Sequence, residues 1–391
     1  MGFFSGLGQI LRDFSGWTSA HGIPHVGSAQ NAILRTFWTA VFLGSIIAFG
    51  IQMSVLVEKF RKYEVTVQTE LKFEERVFPS VTVCHLNPYR NDRISDTILA
   101  TLTEVYTSAL NRPEEEDDRR KAFGFEGLSP QQIQQRASRW LTYLGTETLM
   151  KDGLHWVGAG RTNDSASATA DPKSVPIAYT YDDFIMNCAY NTKGCSKSNF
   201  KQIFEPLYGF CYTFNAEAPL YNSTRAGPLY GLRLLLNCDQ SKYMPMTEKS
   251  GVIVAIHAQE ETPNIGTNGL LAAPGDSTAF GVRNVNIRRK GQPYGDCVRT
   301  GQSSQRYYYN GTYTSEGCFR SCFQDAIVAR CRCTDPSFAV PPLADVPSCA
   351  SGPVADVNAN MECIDKLMSK DKEAEDAFNV VEQCDCPQPC T

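Results

Sequence analysis

Residues Thr36 to Val57 read TFWTAVFLGSIIAFGIQMSVLV, an apolar run without a single charged side chain. As an α-helix this run of about 22 residues would reach about 33 Å, enough to cross a hydrocarbon core of about 30 Å. A secretory signal peptide fits it badly, because the run starts well inside the chain and no small-residue cleavage site precedes Glu58 and Lys59. A transmembrane helix over 36–57 is therefore predicted. Its orientation rests on two opposed signals. Arg12 and Arg35 precede the helix while Lys59, Arg61 and Lys62 follow it, so positive charge alone mildly favours a cytoplasmic downstream region. Against this stand three glycosylation sequons, at Asn163, Asn222 and Asn310, and every cysteine, all of which lie downstream. Sequons and cysteines together predict a cytoplasmic N-terminus and an extracellular main domain at the plasma membrane.

The chain holds 15 cysteines, the first being Cys84, and they crowd toward the end between Cys297 and Cys390. In an exported domain such density reads as a disulfide framework. Cys318 and Cys322 are spaced for one face of a helix, and Cys384 and Cys386 for one face of an extended segment. A Cys-x3-Cys helix against a Cys-x-Cys strand can form two adjacent rungs. Cys331 and Cys333 repeat the second device and can bridge to Cys349 and Cys363, with Cys297 and Cys390 closing the outside. Spacing narrows the roughly 945 pairings of ten cysteines without deciding among them. A zinc or iron–sulfur module is the competing reading, and the absence of paired Cys-x2-Cys and of any histidine after His257 speaks against it. No metal or cofactor is expected.

At 391 residues the chain exceeds what one core usually serves. A net charge of -5 leaves no basic footprint for nucleic acid. Tyr63–Val83 reads as extended strands, and helices are predicted near 94–110 and 129–150. The run Glu114–Asp118 reads as a solvated face and 162–176 as a loop. Strands return at Leu229–Leu236 and Gly251–His257. A helix from Glu316 places Phe319, Phe323 and Ile327 on one face, and a last helix is predicted over Met361–Val381, with Ile364, Leu367, Met368, Phe378 and Val381 on one side. No nucleophile, acid–base pair or phosphate loop can be named, so an enzyme is not expected. His257 reads as a satisfied structural histidine, and His85 and His155 carry no signal by themselves.

Several segments taken in order resemble the degenerin/epithelial sodium channel/acid-sensing ion channel family. His21-Gly22 sits before the apolar run as that family's gating pair does. FPSVTVCHLNPYR (Phe78–Arg90), YGFCYTFN (Tyr208–Asn215), GVIVAIHAQEETP (Gly251–Pro263), the APG at Ala273–Gly275 and CDCPQPC (Cys384–Cys390) are similar to its further motifs. The resemblance implies an α+β membrane protein with an N-terminal transmembrane helix and a large disulfide-rich extracellular domain, built of palm and β-ball sheets with a helical finger and thumb. It divides the chain into a cytoplasmic segment (1–35) with the gating pair, the first membrane helix (36–57), palm strands (58–88), finger, knuckle and β-ball (89–215), palm and β-ball strands (216–295), and a disulfide-rich thumb and wrist (296–391). It also implies the pairs Cys84–Cys211, Cys188–Cys195, Cys297–Cys390, Cys318–Cys386, Cys322–Cys384, Cys331–Cys363 and Cys333–Cys349, which leaves Cys238 spare.

The function implied is that of a subunit of a trimeric, amiloride-sensitive, sodium-selective channel, assembled with itself or with related subunits. An extracellular stimulus would open it, a neuropeptide of the FMRFamide kind or protons, and His21 and Gly22 would influence opening. Mechanical or constitutive opening is the alternative within the family. The family's second membrane helix, with its Gly-x-Ser filter, has no counterpart before Thr391. The sequence is accordingly read either as a fragment or as a non-conducting, modulatory or purely adhesive single-pass protein.

Overall fold

The structure, a computed structural model, describes residues 2–64, 66–71, 74–111, 118–151, 161–162, 176–299, 306–342, 345–369 and 378–390. It divides into a first unit, residues 1–71 with 292–295, and a second made of the remainder.

Three helices make the first unit: α1 (Gly2–Trp17), α2 (Ile23–Ser28) and α3 (Ala32–Arg61). α3 is long and apolar enough to cross a membrane, and none of its apolar window is buried against protein. It extends past 36–57 at both ends because the flanking Ala32–Arg35 and Glu58–Arg61 contain good helix formers whose charges fall outside the apolar span. The hydroxyls of Thr39, Ser45 and Ser54 each donate to the carbonyl four residues back at 2.8 Å, which satisfies them without water.

The second unit runs β1 (Arg76–Val77), β2 (Ser80–His85), α4 (Ile98–Asn111), α5 (Asp118–Ala122), α6 (Pro130–Lys151), β3 (Arg161–Thr162), α7 (Tyr181–Phe184), β4 (Ile185–Tyr190), β5 (Lys193–Gly194), β6 (Phe200–Glu205), β7 (Gly209–Phe214), β8 (Asn222–Ser223) and β9 (Leu232–Leu236). It continues through β10 (Val252–His257), α8 (Ile265–Asn268), β11 (Leu270–Ala272), β12 (Cys297–Val298), α9 (Ser315–Cys331), α10 (Val354–Leu367), α11 (Val380–Gln383) and β13 (Gln388–Pro389). Its largest sheet has the order β11-β10-β2-β7-β6-β3, with β4 flanked by β5 and β9 in a second sheet. Every residue of β2 is buried, and its polar side chains are satisfied within the sheet: the Ser80 hydroxyl donates to the Asn215 carbonyl at 2.9 Å and the Thr82 and Thr213 hydroxyls meet at 2.8 Å. Val81 and Val83 face the main core, while Cys84 joins Cys211, Ile253, Ala255 and Ile265 in a smaller one.

Helices supply most of the rest of the main core. α4 buries Leu99, Leu102, Val105, Tyr106 and Ala109, a helical spacing, and packs on α6. Trp140 of α6 is fully buried, and its indole N–H donates to the Phe123 carbonyl at 3.0 Å. α10 adds Val357, Met361, Ile364 and Leu367 and packs against α9.

Three sequence expectations need correction. Of Tyr63–Val83, only β1 and β2 form ladders among the described residues; Val67 and Leu71 are exposed, and β-propensity without a partner strand forms no sheet. The strand expected at Leu229 begins at Leu232, after Gly227 turns the chain at φ 114°. The single helix expected over Met361–Val381 is two. α10 starts earlier, at Val354, and stops at Leu367, and the Phe378 amide then donates back to the Leu367 carbonyl at 3.0 Å. Met368 and Val381, which the apolar spacing assigned to one helix face, are both exposed. The predicted helices near 94–110 and 129–150 correspond to α4 and α6. Residues 114–117, His155 and Asn163 lie outside the described residues, as does most of the loop 162–176.

Candidate functional site

His21 and Gly22 lie at the turn between α1 and α2. His21 is exposed, and Gly22 caps α2 at φ 102° with a position for Cβ that is only 3.0 Å from Phe42 of α3. Both facts select glycine: the backbone is left-handed and the space is taken. Pro24 follows within the first turn, where its missing N–H is harmless. His25 stacks on Trp38 at 4.5 Å, which ties α2 to α3. At the other end of α3, Tyr63 meets Tyr294 edge-to-face at 5.5 Å. Sequence reading missed both aromatic pairs, since nothing in the spacing of 25 and 38, or of 63 and 294, signals proximity.

Seven disulfides join the described cysteines of the second unit. Cys84 and Cys211 are directly opposed in the β2–β7 register with Cα atoms 4.4 Å apart. Cys188–Cys195 closes a short loop after β4. α9 opens on Thr314, whose hydroxyl accepts from the Gly317 amide at 3.1 Å, and so presents Cys318 to Cys386 and Cys322 to Cys384. The segment carrying Cys384 and Cys386 is extended but is not a strand until β13. Two hydrogen bonds to the Pro387 carbonyl, from Tyr313 at 2.9 Å and Ser315 at 3.2 Å, hold it to the start of α9. Cys297–Cys390 lies beside the parallel β12–β13 pair, where the Arg289 amide donates to the Cys390 carbonyl at 2.8 Å. Cys331–Cys363 joins α9 to α10, and Cys333–Cys349 pins the loop after α9. Cys238 is unpaired and partly buried, and burial pushes its thiol up.

The motif residues of Phe78–Arg90 and Tyr208–Asn215 turn out to be knots. Asn87 is fully buried, and its amide donates to the carbonyls of Tyr89 (2.6 Å) and Lys242 (3.3 Å) and to the Tyr179 hydroxyl (3.1 Å). Its Oδ1 accepts from the Met244 amide at 3.0 Å and the Thr247 hydroxyl at 2.7 Å. One side chain thus joins three segments far apart in sequence. Asn215 adopts φ 60° after β7, donates to the Phe78 carbonyl, and accepts from the Tyr221 amide at 2.7 Å. Arg90 and Arg93 both reach Asp183, which also completes a capping box with Thr180. Burial pushes the Asp183 carboxyl up, but hydrogen bonds from Arg93 and Thr180 outweigh it and hold it at about 2. His257 is satisfied by Thr82 and the Ala258 carbonyl, each at 2.8 Å. His85, unremarkable in the sequence, is fully buried.

Among the described residues no cluster of three or more histidine, cysteine or carboxylate side chains could hold a metal. Asn222 and Asn310 are exposed. What this arrangement provides is an apolar helix with a glycine-requiring turn at one end, and a domain in which five disulfides cross-link the described segments between Cys297 and Cys390.

The family model for the amiloride-sensitive sodium channel matches residues 14–391. The chain belongs to that family. Its members are ion channels, not enzymes, and the resemblance read from the motifs is borne out. Degenerin-like protein asic-2 of Caenorhabditis elegans is 31% identical over 398 residues, covering 98% of this chain and 67% of the relative. Degenerin mec-10 of Caenorhabditis briggsae is 25% identical, covering 97% of this chain and 70% of that protein. Epithelial sodium channel subunit alpha of Xenopus laevis is 28% identical, covering 85% of this chain and 60% of the relative. The family's α+β fold, with one apolar N-terminal helix and a disulfide-rich domain, is the fold described above.

Proposed function

We propose that this chain is a subunit of a trimeric, amiloride-sensitive, sodium-selective channel of the plasma membrane, formed with copies of itself or with related subunits. The observation that carries the reading is the family match running almost unbroken through both units, from residue 14 to 391. In this reading the N-terminus is cytoplasmic and the second unit extracellular, with glycans on Asn163, Asn222 and Asn310. The six-stranded sheet and its neighbours act as palm and β-ball, α4–α6 as finger, and α9–α11 as thumb. An extracellular stimulus moves the stapled thumb, the movement reaches the membrane helices, and the His21-Gly22 turn sets how readily the pore opens.

For the stimulus we favour an extracellular peptide over protons. Burial lowers both described histidines of the second unit, His85 and His257, below the ordinary histidine range, which weakens the case for sensing mild acid through histidine. The test is to express the gene in oocytes, alone and with related subunits, and to record amiloride-sensitive sodium current during peptide, acid and mechanical stimulation. Surface biotinylation runs in parallel. No current under any of these conditions, with the protein at the surface, would sink the reading.

A further inference from the structure

Helix α1 carries an apolar face that the first unit leaves open. Ile10, Phe14 and Trp17 fall at helical spacing on one side and are 66%, 43% and 77% exposed, with the Phe14 and Trp17 rings edge-to-face at 5.9 Å. Gln9, Arg12 and Asp13 are exposed on the remaining surface, and the helix has no net charge because Arg12 and Asp13 are its only charged residues. It is also intrinsically weak. Gly6, Gly8 and Gly16 each favour a helix less than alanine would, and none has an atom within 4 Å of where a Cβ would stand, so packing does not demand them. A helix of 16 residues with that composition is marginal in water and gains its stability from an apolar surface.

The neighbours of α1 carry it at the edge of the membrane span. Ser15 seats against α2 at Gly27, where a Cβ would lie 2.1 Å from the Ser15 hydroxyl. α2 is in turn fixed to the first turns of α3, by His25 stacked on Trp38 and by Gly22 beside Phe42. Trp38 and Phe42 lie two and six residues into the apolar run that starts at Thr36, which is about 3 and 9 Å at about 1.5 Å per residue. An interfacial helix rests about 5–10 Å into the boundary between headgroups and acyl chains, the same depth. Protein packing thus takes the Ser15 side of α1, and the Ile10, Phe14 and Trp17 side is left for another partner.

We propose that this partner is the lipid surface itself: α1 lies in the plane of the bilayer boundary, with Ile10, Phe14 and Trp17 among the acyl chains and Arg12 and Asp13 in the headgroup layer. Continuity selects lipid over a second protein, because the same unit presents the uncovered apolar span of α3, and α2 joins the two. Apolar burial drives the contact, and the lack of net charge makes acidic lipid unnecessary. The inference rests on α3 crossing a membrane and is independent of conduction and of the stimulus.

The test uses the full chain in phosphatidylcholine nanodiscs, with the Trp17 signal taken as the fluorescence of wild type less that of Trp17→Phe. Lipids brominated near the headgroups are expected to quench Trp17 about twofold more than lipids brominated at the chain ends, with no change on adding salt or acidic lipid. Ile10→Gln/Phe14→Gln, which keeps good helix formers, should abolish that quenching, and Ile10→Leu/Phe14→Leu should preserve it. The bromolipid quenching that remains in Trp17→Phe, from Trp38 of α3, checks insertion separately; its absence would overturn the spanning helix and this assignment with it. With Trp38 quenched, three results would overturn the assignment alone. These are no quenching of Trp17 by bromolipid, whether it is open to acrylamide or shielded from it, quenching strongest at the chain ends, and quenching that requires acidic lipid.

Discussion

His85 lies flat against Tyr179, the two rings 4.0 Å apart and 10° from parallel, while its Nε2 has no hydrogen-bond partner. Its Nδ1 sits 3.0 Å from both the amide and the carbonyl of Asn87. Burial holds the imidazole at about 4, so it is neutral in the folded chain and takes up a proton more readily once unfolded. The stability this provides is fully present above about pH 6.5 and is lost as pH falls toward about 4, roughly 3 kcal/mol in all. Thermal melts of the full chain between those pH values should show the midpoint falling on acidification. In His85→Asn that fall should be much smaller, and an unchanged slope would rule His85 out as its source.

Asn87→Ala removes five hydrogen bonds and leaves the Met244 amide and the Lys242 carbonyl without their side-chain partner inside the core. A loss of about 3 kcal/mol is expected, more than for truncating an apolar residue of that size. The melting midpoint of the variant against wild type at pH 7 measures it.

The disulfides should differ in weight by the loop each closes. Cys84–Cys211 spans 127 residues, with only the short Cys188–Cys195 loop inside it, and Cys188–Cys195 spans 7. Loop-closure entropy gives about 5 kcal/mol for the first and about 2.5 kcal/mol for the second. Paired Cys→Ser variants compared by denaturant midpoint should keep that order, and the reverse order would mean that native packing, not chain entropy, dominates.

Gly22→Ala meets two obstacles, the φ of 102° and the Phe42 ring. Relieving only the second, with Gly22→Ala/Phe42→Ala, should not restore the turn, because a left-handed alanine still costs about 1 kcal/mol. Hydrogen exchange across residues 20–28 should quicken by about fivefold in both variants, with surface abundance unchanged.

Asn222 and Asn310 stand exposed on the second unit, so on the extracellular reading each should carry a glycan. Asn222→Gln and Asn310→Gln should each remove one glycosidase-sensitive step on a gel, and no step at either position would argue against that orientation.

The apolar run, the cysteine spacing and the ordered motifs were enough to fix the membrane helix, the class of fold and the family, because each is a local pattern with its own physical period. Uncharged length gives the span, spacing of three to four gives the face of α9, and the β-branched run gives β10. The helix over 361–381 failed for the same reason: periodicity is blind to a break between two segments that happen to keep phase. Only the tertiary structure decided which residues meet across long separations. Asn87 reaching Lys242 and Met244, His85 on Tyr179, and Phe42 against Gly22 are facts of packing. Burial belongs to the assembled chain, where low dielectric turns an ordinary asparagine or histidine into one with consequences.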